Sequence, residues 1–307
     1  MEHYITLFDS LFLPQGLALH QSLERQANNY VLWVLCMDEA TNATLTQLDL
    51  PNIRLLLLKD VETPELLKVK TERAVNEYCW TITPHTPTFV FDADPEAQRA
   101  TYLDADTWFM QDPAKILEEL DNSGKSVLIT EHAYSPECDE TEHSGIYCVQ
   151  FMSFARDGGE TVRQWWQERC LEWCFNRSED GKFGDQKYLD DWPERFGDSV
   201  HVLENRQYTL APWNARRFNP DTGVMWHFQA LRLEARGSGW FADFGSYDFP
   251  QATLKTIYQP YVEDLSQAIA WMQAAGVSPR PQGVATFKRR VKGLFTTTGK
   301  FLKHRLQ

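Results

Sequence analysis

Two aspartates two residues apart, Asp104 and Asp106, stand between the apolar run Thr101-Tyr102-Leu103 and the segment Thr107-Trp108-Phe109. In an extended segment residues i and i+2 point to the same side, so both carboxylates can converge at the end of a buried strand. Two carboxylates so placed are costly unless a cation joins them. A divalent hard metal is the natural partner, and such an ion commonly also holds substrate phosphates. The pair suggests a metal-dependent enzyme acting on a nucleotide diphosphate compound. The plainer reading is a strand followed by a loop with two solvated aspartates, and a D-x-D alone does not separate the two.

The elements around the pair form a regular pattern in the first half of the chain. Strands are expected at residues 4–8, 53–58, 100–103 and 126–130, and the continuous apolar run 30–36 has the character of a buried parallel strand. Helical patterns fill the intervals at 14–26, 39–48, 64–79 and 113–120, with Pro14 near the start of the first. Residues 86–91 are ambiguous. This alternation argues for an α/β domain with a mostly parallel sheet. Ligands of such sheets sit beyond the carboxyl ends of the strands, where Asp9, Asp38, Asp104, Asp106 and Glu131 all fall. The second half is less regular. Strands are expected at 145–154, 200–203 and 224–228, a helix at 161–175, and a short helix opening at Asp185-Gln186-Lys187 and ending at Pro193. A helical stretch at 249–275 is interrupted by Pro260.

At 307 residues, one large domain, or one domain with an appendage, is expected. We place the domain at 1–276 and a C-terminal tail at 277–307. No apolar run is long enough to span a membrane, and the first residues lack the charged and apolar regions of a signal peptide. The cysteines show no disulfide framework, so a reducing cytoplasm fits. Cys170 and Cys174, spaced i, i+4 on a helix, are expected to be buried structural thiols rather than a metal pair. The net charge of −13 conceals an asymmetry: no acidic residue follows Asp264, while eight Lys/Arg lie from Arg280 onward, leaving about −21 on the rest. Within the tail Phe287, Val291, Leu294, Phe295, Phe301, Leu302 and Leu306 recur at helical spacing. A basic amphipathic stretch of this kind suits an anionic membrane surface, or else packs on the domain with its basic side in water. The acidic body argues against nucleic acid binding.

Taken in order, the segments Ile5-Thr6-Leu7-Phe8-Asp9, Tyr102-Leu103-Asp104-Ala105-Asp106, Gly184-Asp185-Gln186-Lys187-Tyr188-Leu189 and Trp226-His227-Phe228 resemble those of the GT-A nucleotide-sugar glycosyltransferases, in particular retaining glycosyltransferase family 8. The resemblance covers roughly residues 4–233. It implies a GT-A fold: an α/β, Rossmann-like, mixed but mostly parallel sheet flanked by helices. It also implies a divalent metal, manganese or alternatively magnesium, held by Asp104, Asp106 and His227 against the donor diphosphate. A mixed Asp/Asp/His set suits manganese better than a purely oxygen-seeking cation. The nucleotide would be contacted by Leu7, Asp9, Asp104, Ala105 and Arg232, although Asp9 reads equally well as a turn residue leading a helix. The catalytic pair would be Asp185, holding sugar hydroxyls, and Gln186, near the anomeric carbon. Asp185 could also serve as a plain helix N-terminal carboxylate. Sugar or acceptor contacts would come from Glu131, His132, Ser144, Gly145 and Asn214. The pattern departs from the family's at two places. His143 occupies the position of an asparagine, and the glycine and lysine expected after His227 are absent, Arg232 being the nearest basic substitute.

The resulting expectation is a cytoplasmic enzyme, peripheral on the inner face of the membrane. It would move a hexose, with retention, from a nucleotide diphosphate donor, UDP-linked, to a saccharide or lipid-linked acceptor. That places it in lipopolysaccharide or cell-surface polysaccharide synthesis. Two other readings are a sugar nucleotidyltransferase and a non-catalytic relative that binds saccharides or a partner. The first lacks a Gly-rich phosphate loop after the first strand, where Ser10-Leu11-Phe12-Leu13-Pro14 stands.

Overall fold

The computed structural model describes residues 1–236, 239–282 and 305–306. The central sheet contains β1 (Glu2–Phe8), β2 (Tyr30–Cys36), β3 (Ile53–Leu57), β4 (Arg99–Leu103), β6 (Val127–Glu131), β7 (Tyr147–Ala155) and β8 (Val200–Val202). Their order is β3-β2-β1-β4-β7-β6-β8. Strand β7 runs antiparallel to both neighbours and every other pairing is parallel. The mostly parallel sheet expected from the sequence is therefore present.

Successive side chains alternate between two covered faces, so the strands are mostly apolar. Along β2, Tyr30, Leu32, Val34 and Cys36 enter one core, while Val31, Trp33 and Leu35 enter the other. In β1, Tyr4 and Phe8 face the first and Ile5 and Leu7 the second. The first core is closed by the helices Leu13–Gln26, Ala114–Ser123 and Gln259–Ala274. The second is closed by Val75–Ile82, Thr86–Ala93 and Glu160–Glu172. Each fully buried Leu, Ile or Val contributes about 1.5–3 kcal/mol, so both faces hold the sheet firmly.

Several elements differ from expectation. The helix expected over 64–79 is two, Pro64–Lys70 and Val75–Ile82, and the Glu77 carboxylate accepts the Ala74 N–H at 2.8 Å to start the second. The ambiguous 86–91 is helical, within Thr86–Ala93. The stretch 249–275 does not break at Pro260. A π turn, Leu254–Tyr258, runs directly into Gln259–Ala274, and the change of helix type just before Pro260 accommodates its missing N–H. The short helix expected from Asp185 starts instead at Lys187, as a 3-10 turn Lys187–Asp191. Pro193 begins a further turn, Trp192–Arg195, rather than ending one. Cys170 and Cys174 are fully buried and unbridged, as expected of structural thiols.

Two smaller sheets were not anticipated. In one, β5 (Thr107–Phe109) pairs antiparallel with β10 (Met225–His227), which pairs in parallel with β9 (Thr209–Leu210). The other is a hairpin of β11 (Arg232–Arg236) and β12 (Gly239–Asp243), to which β13 (Arg305–Leu306) adds. Residues 277–282, assigned to the tail from sequence, pack on the domain. Pro279 is buried, and Gln282 bonds Leu233 N–H, Leu11 O and Gln15. The amphipathic pattern of 283–304 lies outside the described residues.

Candidate active site

The chain turns sharply where β4 ends. The Asp104 carbonyl accepts both the Thr107 N–H at 3.1 Å and the Thr107 hydroxyl at 2.7 Å, so β5 starts only three residues later. Strand β10 then lays His227 opposite Thr107. The Phe228 N–H donates to the Asp106 carbonyl at 2.8 Å, extending that ladder past its end. A residue more than 120 positions along the chain from Asp106 is thereby fixed beside it. His227 Nε2 lies 3.2 Å from Asp106 Oδ1 and 3.7 Å from Asp104 Oδ2.

The electrostatics of this trio are tightly linked. Burial alone would push the His227 imidazolium down, but Asp106, then the neighbouring Cys148 sulfur and Asp104 hold it well above its ordinary range. Burial pushes the Asp104 carboxyl up, with repulsion from Asp106 adding to it against the pull of His227. Asp106 ends below its ordinary value despite burial, because His227 lies against it and Arg232 adds positive charge. Two carboxylates here thus demand positive charge. One donor atom from each of Asp104, Asp106 and His227 lies within 4.8 Å of the others. The two aspartate side chains remain 29% and 15% exposed, so the cluster opens to solvent on one side. Two oxygens and one imidazole nitrogen, with an open face, fit a divalent cation that keeps positions for diphosphate oxygens.

The remaining expected residues are distributed around this centre. Strand β1 lies parallel to β4 with Ile5 opposite Tyr102, so Asp9 stands level with the Asp104–Asp106 turn. One Asp9 oxygen accepts the Leu11 N–H at 2.9 Å and shapes the turn into the helix Leu13–Gln26. Leu7 and Ala105 are buried core residues beneath the rim. Asp38 caps the helix Glu39–Leu48 through Thr41 and also binds Ser10, so it supports the rim rather than facing a ligand. Arg232 opens β11, close enough for its charge to act on Asp106.

Asp185 follows Gly184, whose φ of +53° is the left-handed region that glycine tolerates. Its carbonyl accepts the Trp166 indole N–H at 2.9 Å. Its carboxyl is pushed well up, first by burial and then by the charge of Asp104, so the two share one environment. Cys79, pushed up to about 12 by burial and then by Asp9 and Asp185, lies near both of those carboxylates. Gln186 Nε2 donates to the Ser144 carbonyl at 2.7 Å. Asp190 accepts the Ile146 N–H at 2.7 Å, which ties the 185–190 segment to the turn at Ser144-Gly145.

The acceptor-side residues divide differently. Glu131, at the end of β6, is paired with Arg206 at 2.8 Å. His132 is buried, stacked on Tyr134 at 4.7 Å between ring centres. Asn214 is fully buried. Its amide donates to the carbonyls of His132 and Thr209, and its oxygen accepts the Ala211 N–H. Those bonds brace the loop 209–214 from within, as suits the buried asparagine that the resemblance implies near the acceptor cleft.

Three residues at the centre were missed from sequence: the buried Cys148, whose sulfur lies against His132 and His227, Tyr102 and Gln150. The Tyr102 hydroxyl donates to Asp104 Oδ1 at 2.9 Å, from the same side of β4. Gln150, fully buried on β7, lies with Oε1 3.0 Å from His227 Nδ1. The signal for Gln150 was present: it is the only amide in the apolar strand Tyr147-Cys148-Val149-Gln150-Phe151-Met152.

Sheet order, rim position and the Asp-Asp-His cluster define a GT-A-type α/β fold, and solved glycosyltransferases share it. The galactosyltransferase LgtC, solved with donor and acceptor sugar analogs, superposes with a TM-score of 0.51 at 13% identity, over 94% of this chain and 99% of that one. The Streptococcus pneumoniae glycosyltransferase GlyE gives 0.51 at 16% identity, over 92% and 66%. The bifunctional glycosyltransferase WbbM gives 0.53 at 13% identity, over 90% of this chain and 51% of that one. No family model matches the chain. By sequence it belongs to the family of the uncharacterized Bacillus subtilis (strain 168) protein YfnF, at 34% identity over 250 residues, covering 75% of this chain and 82% of YfnF. YfnD of the same organism is 28% identical over 292 residues, covering 89% and 91%.

Proposed function

We propose that the protein is a metal-dependent glycosyltransferase that moves a hexose, with retention, from a UDP-linked donor to a saccharide or lipid-linked acceptor. The observation that carries this reading is the convergence of Asp104, Asp106 and His227 at the carboxyl rim of a GT-A sheet. A divalent cation there, manganese by preference, would act as the Lewis acid for the departing diphosphate. Arg232 supplies a second positive charge beside Asp106, the role that the absent lysine would have had. Leu7, Asp9 and Ala105 form the wall for the nucleoside. Asp185, next to Asp104 in its environment, is suited to hold the sugar hydroxyls, and Gln186 to lie along the face that the acceptor approaches. Glu131, His132, Ser144 and Gly145 border the acceptor side, in a region whose rings, Tyr134 and Trp213, suit a saccharide. Lipopolysaccharide or other cell-surface polysaccharide assembly is the setting we favour, with the basic C-terminal segment holding the enzyme at an anionic membrane.

The test is release of UDP from a panel of UDP-hexoses, with and without Mn2+. Turnover of one donor that requires the cation and is lost in Asp106→Ala supports the reading. Absence of turnover with every nucleotide sugar, by protein that remains folded, overturns it.

A further inference from the structure

We propose that Gln150 is the positioning residue of the metal centre, joining its two halves so that His227 presents Nε2 to the cation. This rests on reading Asp104, Asp106 and His227 as a metal site.

Gln150 makes two different contacts. Its backbone carbonyl accepts the Asp104 N–H at 3.2 Å, which holds the residue that begins the aspartate turn. Its side-chain oxygen lies 3.0 Å from His227 Nδ1. One residue of β7 therefore fixes a ligand that arrives from β4 and a ligand that arrives from β10. Their geometry would otherwise depend on the three-residue pairing of β5 with β10.

The tautomer follows from the chemistry. An imidazole that binds a metal through Nε2 must offer its lone pair there, so its remaining proton sits on Nδ1 and needs an acceptor. Gln150 Oε1 is the oxygen placed to be that acceptor, in a buried position that it shares with the Cys148 sulfur beside His227. The same amide leaves Nε2 without a partner among the described residues, in a fully buried place. A buried unsatisfied donor is costly, so an amide that only filled space would be a poor choice at this position. A neutral acceptor also differs from a carboxylate: it orients the ring without adding a third negative charge to a centre that already has two.

The experiment measures Mn2+ affinity of the purified full chain by titration followed with electron paramagnetic resonance, for wild type, Asp106→Ala, Gln150→Met and Gln150→Glu. Methionine keeps the length and removes the acceptor, whereas glutamate keeps the acceptor. Loss of an outer partner of a metal-bound histidine typically weakens metal binding about 10–100-fold. We expect that loss in Gln150→Met and affinity within a few-fold of wild type, or tighter, in Gln150→Glu. Equal affinity of wild type and Gln150→Met overturns the proposal, as does equal loss in both variants, which would mean packing alone. If Gln150→Met does not fold, nitrogen NMR of the wild-type histidines in Mg2+ decides: His227 must carry a slowly exchanging proton on Nδ1, and a proton on Nε2 overturns the proposal. Failure of wild type itself to bind Mn2+ overturns the metal reading together with this one, whereas binding that is lost only in Asp106→Ala overturns this one alone.

Discussion

At the residue scale, the centre is two carboxylates whose charge must be met, by the His227 imidazolium or by a cation in the same place. Arg232 is the residue whose role is easiest to separate from folding, because it stands at the rim and acts on Asp106 by charge. Arg232→Ala should weaken UDP binding about tenfold or more, equivalent to roughly 1.4 kcal/mol, and leave uridine binding unchanged. Calorimetric titration with both ligands checks this, and Arg232→Lys should recover part of the loss. The D-x-D and His227 were legible in the sequence because their chemistry is carried by residue type and order. Gln150 and Tyr102 were not singled out, since a neutral amide and a phenol inside apolar strands become part of a site only once β7 and β4 are adjacent. The partners of Asn214 were not legible either: an asparagine that faces a ligand and one that braces a loop look the same in sequence.

At the scale of elements, the turn at Ser144-Gly145 is the most exacting part of the acceptor side. Gly145 has φ +95° and ψ 169°, a region open almost only to glycine, and a Cβ there would lie 2.9 Å from Asp190 Oδ1. Gly145→Ala should cost about 1–3 kcal/mol of stability. It should also disturb the Gln186–Ser144 bond, so activity should fall by more than stability accounts for. Urea unfolding read beside turnover separates the two effects. The strands of the main sheet were legible because both faces are covered, which writes a continuous apolar run into β2 and apolar stretches into its neighbours. The short strands β5, β9, β11 and β12 were not. Two to five residues carry too little periodicity, and β5 exists because the Asp104 turn aims it at β10. The break expected at Pro260 takes the form of a change of helix type, because the π turn before it absorbs the missing N–H.

At the scale of the whole molecule, stability should fall in mild acid. Burial pushes His85 down to about 4 and also lowers His3 and His20, so the fold disfavours the charged form of all three. The unfolded chain takes up protons first, near pH 6.5, so stability is full above that value and is lost as pH falls toward 4. His85 alone should account for roughly 3 kcal/mol of that loss, and a His85→Phe variant should show a shallower decline in urea midpoint between pH 7 and pH 4.5. No helix among the described residues is long and apolar enough to cross a membrane. In our proposal membrane contact is made by the basic C-terminal stretch, and removal of residues 288–307 should abolish sedimentation with anionic vesicles. Sedimentation that persists would place the contact elsewhere. The central claim, a cation-dependent donor site built by Asp104, Asp106 and His227, is tested most directly by thermal unfolding with UDP, with and without Mn2+. A ligand at one hundred times its dissociation constant adds about 2.7 kcal/mol, which is readily seen as a rise in Tm. The account predicts stabilisation by UDP that requires Mn2+ and vanishes in Asp106→Ala. Stabilisation by UDP that is indifferent to Mn2+, or none with either, would contradict it.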